Sequence, residues 1–77
     1  MSHTSNNGIK IVIDRVAKEY DELVRKTARL EFTVANLDKN DSISEEHKEL
    51  LKGQLSVMYQ YLQILKRRLE LFEQESK

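Results

Sequence analysis

From Ile9 to Leu37 the seam residues return in alternating steps of four and three: Ile9, Ile13, Val16, Tyr20, Leu23, Thr27, Leu30, Val34 and Leu37. A helix turns once in about 3.6 residues, so this spacing lines one helical face and excludes strands, whose faces repeat every second residue. Thr27 is its single soft position. A second seam, Leu51, Leu55, Met58, Leu62, Leu65, Leu69 and Phe72, follows the same alternation. The intervening Asp38-Lys39-Asn40-Asp41-Ser42 is polar, and Asn and Asp side chains satisfy their own backbone in turns. Two heptad helices joined by a short turn pack antiparallel. The spacing therefore predicts an all-α two-helix antiparallel hairpin, one domain over 9–77, with helix 9–37, turn 38–44 and helix 45–74.

The punctuation agrees. Proline is absent, and glycine occurs only at Gly8 and Gly53. Residues 1–8 are polar and are expected to form a disordered tail, with Asn7 or Gly8 capping the first helix. Ser44 is the expected N-cap of the second helix, with Glu45 and Glu46 suiting its positive end; Ser42 with Glu45 is a competing capping box. Opposite charges four residues apart, Asp14–Lys18, Asp21–Arg25 and Glu22–Lys26, are expected on the outer face of the first helix, each adding about 0.2–0.5 kcal/mol.

A chain of 77 residues with no cysteine and two histidines, His3 and His47, has no disulfide, thiolate site or imidazole cluster to reinforce a small core. Oligomerisation is the remaining remedy. The second helix points the same way. Leu50, Val57, Ile64 and Leu71 recur every seven residues beside the seam, with Tyr61 between the rows. Gly53 to Leu65 contains no charged residue, although 34% of the chain is charged. One neighbour cannot cover so wide an apolar arc. The expected product is an oligomeric helical bundle, a dimer or higher, with Leu50, Val57, Met58, Tyr61, Ile64, Leu65 and Leu71 at its interface. A glycine costs about 1 kcal/mol relative to alanine inside a helix, so Gly53 is expected to admit another backbone.

Charge and motifs exclude more than they assign. The formal net charge is zero, which argues against nucleic acid as a partner. No apolar run reaches the roughly 18 residues of a membrane span, and the start lacks the features of a signal peptide, so a soluble cytoplasmic protein with no membrane partner is expected. There is no nucleophile–histidine–acid set, phosphate-binding glycine loop or metal-ligand spacing, hence no expected enzyme activity, cofactor or metal. His47 reads as a surface residue. Lys66-Arg67-Arg68 is the one strong basic cluster, and an antiparallel hairpin brings Arg15 beside it, with Tyr20 and Tyr61 at similar heights. Aromatic faces with guanidinium groups suit a phosphate or nucleotide ligand, while the same cations also complement a helix C-terminus and pair with Glu70 or Asp14. Arg25, Lys26 and Arg29 read as a solvated face beside Asp21 and Glu22. Phe32, off the seam near the tip, is a candidate partner contact.

Tyr20-Asp21-Glu22-Leu23, Lys26 and Leu30-Glu31-Phe32 on the first helix, with Gln54-Leu55, Met58, Tyr61 and Ile64-Leu65-Lys66-Arg67-Arg68-Leu69 on the second, resemble a family of short helical-hairpin proteins of crAss-like and other tailed phages. The resemblance covers most of the chain beyond residue 8. It implies a phage accessory protein in the cytoplasm of an infected host, of the kind that binds host machinery or neutralises host defence. Some phage sponges for nucleotide immune signals are also oligomeric helical hairpins; this chain shares their architecture and lacks their N-terminal motifs. The leading expectation is a non-catalytic protein-binding inhibitor of a host factor. Sequestration of a nucleotide-derived signal near Arg15, Tyr20, Tyr61, Lys66, Arg67 and Arg68 is the alternative, and a structural or assembly component the third.

Overall fold

The computed structural model describes the backbone of residues 2–75 and the side chains of residues 8–75. Two helices, α1 (Ser2–Ala35) and α2 (Glu45–Glu75), pack against each other with a 3₁₀ turn at Leu37–Lys39 between them. The result is a rod of 61 × 16 × 15 Å. Each helix has a single neighbour, so most residues keep one side in solvent.

The first seam folds inward as its spacing requires. Val16, Leu23, Thr27 and Leu37 are buried, and Ile13, Tyr20, Leu30 and Val34 are half-buried. On α2 Leu65 is fully buried, and Leu51, Leu55, Met58, Leu62, Leu69 and Phe72 are half-buried. Val16, Leu23 and Leu65 form the centre, with Tyr20, Met58, Leu62, Leu69 and Phe72 packed around them. Thr27 fits this apolar line because its Oγ1 donates to the Leu23 carbonyl at 2.6 Å, one turn back on the same helix. The hydroxyl is thereby satisfied without a partner on α2.

The helix boundaries follow local chemistry. α1 starts at Ser2, earlier than the expected Ile9, because no proline stands in that stretch to stop helical turns propagating from Ile9. Asn7 and Gly8 therefore lie inside α1 and not at its cap, while Met1 of the expected tail lies outside the described residues. At its other end α1 stops at Ala35, where the Asn36 side chain donates to the Phe32 carbonyl at 2.8 Å. Asn40 Oδ1 then accepts from the Ser42 backbone amide at 3.1 Å, an Asx turn that occupies Ser42. Ser44 caps α2, its Oγ accepting from the His47 amide at 3.1 Å. Of the two caps written into the sequence, Ser44 is the one used.

Ion pairs fall elsewhere than expected. Among the described residues they join Glu45–Lys48 at 3.4 Å, Glu49–Lys52 at 3.6 Å and Arg67–Glu70 at 3.3 Å, all three residues apart on α2. Asp14–Lys18, Asp21–Arg25 and Glu22–Lys26 do not close. Exposed pairs of long side chains gain so little that rotamer entropy cancels the attraction. Lys48 is the exception in burial: it is almost wholly covered next to the turn, its aliphatic stem shielded and its amine held by Glu45.

Two substitutions test the seam. Leu65→Ala removes the one side chain of α2 with no exposed surface and is expected to cost about 2–5 kcal/mol in urea unfolding. Thr27→Val keeps the branched shape, deletes a hydroxyl bonded only within its own helix, and is expected to raise stability by about 1 kcal/mol. A loss on Thr27→Val as large as that on Leu65→Ala would contradict the seam's assignment.

Candidate binding surfaces on the second helix

Successive residues turn by about 100° around a helix, so the inward seam of α2 leaves two flanks. One flank carries Leu50, Val57, Tyr61, Ile64 and Arg68; the other carries Tyr59, Gln63, Lys66 and Glu70. Their chemistry differs.

The first flank is apolar and open. Leu50 is 66% exposed, Val57 63% and Ile64 57%, while Tyr61 is 39% exposed and Leu71 half-buried. These residues form a continuous greasy row along a helix face that α1 does not reach. Two residues expected at an interface between copies are placed differently. Leu65 is consumed inside the hairpin, at 0% exposure, and Met58 packs half-buried against the same core. Both stand on the seam at four–three spacing, so a neighbour within the chain claims them first. Gly53 lies at the edge of the open flank, and a Cβ built there would meet nothing within 4 Å.

The second flank is polar and carries the hairpin's cross-strut. The Tyr59 hydroxyl donates to the Glu31 carboxylate across the two helices. That hydrogen bond, reinforced by burial and by the Glu31 charge, raises the Tyr59 pKa above its ordinary value near 10, since ionising the ring would break the bond and set two anions face to face. Nothing in the periodicity signalled this pair, because Glu31 and Tyr59 are both off their seams.

One turn further along α2, Gln63, Lys66, Arg67 and Glu70 line a shallow open depression of about 320 Å³. Spacing of three and four residues puts all four on one face. Arg67 Nη1 meets Glu70 Oε1 at 3.3 Å, the local pairing expected of a cation near a helix C-terminus. Lys66 is exposed and has no hydrogen bond or ion pair among the described residues. The other residues proposed for a ligand are dispersed. Arg68 does not line the depression, its guanidinium lying 5.9 Å from the Phe72 ring centroid. Tyr20 packs against the core. Arg15 is exposed beside Val16 of the core cluster. No hydrogen bond or ion pair joins Arg15 to that cluster among the described residues. A single hairpin thus gathers Lys66 and Arg67, but does not close a six-residue pocket.

Among the described residues no three His, Asp or Glu side chains are placed to hold a metal ion, and no helix is long and apolar enough to cross a membrane. His47 is exposed in the first turn of α2, and Phe32 is an exposed aromatic near the tip.

The Tyr59–Glu31 strut has a pH signature. A proton retained in the folded state contributes stability that is complete below the ordinary tyrosine range and is lost as pH rises through the raised pKa. The thermal midpoint should therefore fall more steeply above pH 10 in the wild type than in Tyr59→Phe. Identical alkaline slopes would show that the strut is not held in solution.

Residues 10–71 match the model of a family described as Sequestin. No curated protein matches the chain, and no solved structure matches it.

Proposed function

The chain belongs to the Sequestin family, and on that premise we propose that it acts by holding a target out of circulation, without chemical conversion of it. The family's name denotes sequestering. The hairpin's own chemistry supports the same reading: among the described residues its exposed side chains offer binding groups and form no nucleophile, base and acid constellation.

The target is a small anionic molecule of the nucleotide-derived class. The carrying observation is the depression with two cations on its rim and a neutral amide beside them, Lys66, Arg67 and Gln63. An ammonium and a guanidinium are the donors that grip phosphate oxygens, and Arg67 can trade the Glu70 carboxylate for a phosphate because their 3.3 Å contact is exposed on both sides. Gln63 supplies donors and an acceptor for a base or ribose edge. In the setting that the phage resemblance implies, the protein works in the cytoplasm of an infected cell, and capture of a nucleotide immune signal blunts host defence.

A second reading has its own observation. The row Leu50–Val57–Ile64 and the exposed Phe32 are apolar surfaces of the kind that meet protein, so a host protein is the alternative target.

Thermal shift of the full chain against cyclic and ADP-ribose-derived nucleotides separates the two. A bound nucleotide at about 100 times its Kd adds about 2.7 kcal/mol, which for a domain of this size raises Tm by on the order of 10 °C. The rise should vanish in Lys66→Glu/Arg67→Glu, whose exposed positions leave the hairpin intact. Absence of any shift across the panel would remove the nucleotide reading and leave the protein target.

A further inference from the structure

The geometry points to a second copy of this chain as the occupant of the open α2 flank, docked antiparallel helix to helix with the two-fold axis passing at Val57. Three observations converge on that register. The apolar row is symmetric about Val57: Leu50 and Ile64 lie seven residues to either side, and both are more than half exposed. An antiparallel pair centred there sets Val57 on Val57 of the second copy and Leu50 on its Ile64. Leu71 comes level with the turn before Ser44.

The flanking residues are matched in the same register. Glu46 comes level with Arg68 of the second copy, eleven residues from the axis on each side, and the two-fold makes that contact twice. Glu46 has no hydrogen bond or ion pair within its own chain among the described residues, and Arg68 meets only the Phe72 ring. Both charges are free to pair across the junction. Gly53 and Tyr61 lie four residues from the axis on opposite sides, so each glycine comes level with a Tyr61 ring. The hairpin itself gives Gly53 no reason to lack a side chain, since a Cβ would meet nothing within 4 Å. A neighbouring ring supplies the reason.

Other arrangements waste these features. A parallel pair stacks Glu46 on Glu46, Arg68 on Arg68 and glycine on glycine. Moving the antiparallel axis half a heptad toward the C-terminus sets Leu50 on Leu71 and Val57 on Ile64, but brings Glu46 level with Glu75 and leaves Arg68 facing Gly53. Facing like charges select against both. The register leaves the Lys66–Arg67 depression on the far flank, so pairing and ligand capture are separate properties that fail separately.

The chain has no cysteine, which makes cross-linking clean. Single substitutions Val57→Cys, Leu50→Cys and Ile64→Cys fall on exposed positions, so each is expected to retain wild-type helicity by circular dichroism. Under mild oxidation without nucleotide, Val57→Cys is expected to form a covalent dimer within minutes. Leu50→Cys and Ile64→Cys should form little alone, but should link rapidly when mixed. Light scattering of the wild type should give twice the 9.1 kDa chain mass. Glu46→Arg and Arg68→Glu should each weaken the dimer, and the double charge exchange should restore it. A 9.1 kDa particle at high micromolar concentration would overturn the proposal. So would Leu50→Cys linking to itself as fast as Val57→Cys, which marks a parallel pair.

Discussion

The contact on which the rest of this molecule depends is the seam between α1 and α2, centred on Val16, Leu23 and Leu65. A seam between two helices is narrow. It removes one stripe of each helix from water and can do no more, because a helix has about 10–12 Å of width and a single neighbour covers only the facing part. The rod's 15–16 Å cross-section is the direct result. Few residues are buried on all sides, so the hairpin is built from a thin core and long solvent-facing flanks.

That thinness leaves the flanks of α2 open to solvent. The seam takes Leu65 and Met58 and fixes the helix's rotation, after which every remaining residue has an assigned side. Leu50, Val57, Ile64 and Tyr61 are left together on one flank, Lys66 and Arg67 on the other. An apolar face and a face bearing two cations thus share one helix. The Ser44 cap and the Tyr59–Glu31 strut hold the helix that displays both faces. Membership of the Sequestin family accords with such a display.

Particular residues show where sequence reading succeeds and where it stops. The seam positions, the turn and the Ser44 cap were legible because each is a short-range rule: a period of 3.6, an Asx turn, a side-chain oxygen over an open amide. The start of α1 was misplaced because polar residues such as Ser and Asn permit either a tail or a helix, and only coupling to downstream turns decides. The α1 ion pairs were over-read because spacing allows a contact without making it favourable. Burial of Lys48 had no signal, since lysine spacing does not reveal whether a stem is covered.

The sequence by itself determined the fold class, the faces that turn inward and the residue types available for binding, since periodicity and capping act between near neighbours in the chain. Only the tertiary structure decided which off-seam residues meet, as Glu31 and Tyr59 do, and how completely each seam residue is covered, Leu65 wholly and Met58 by half. The physical reason is that helix-to-helix register is a property of two surfaces packed together. A heptad repeat looks the same after a shift of one whole heptad, so no single helix carries that information.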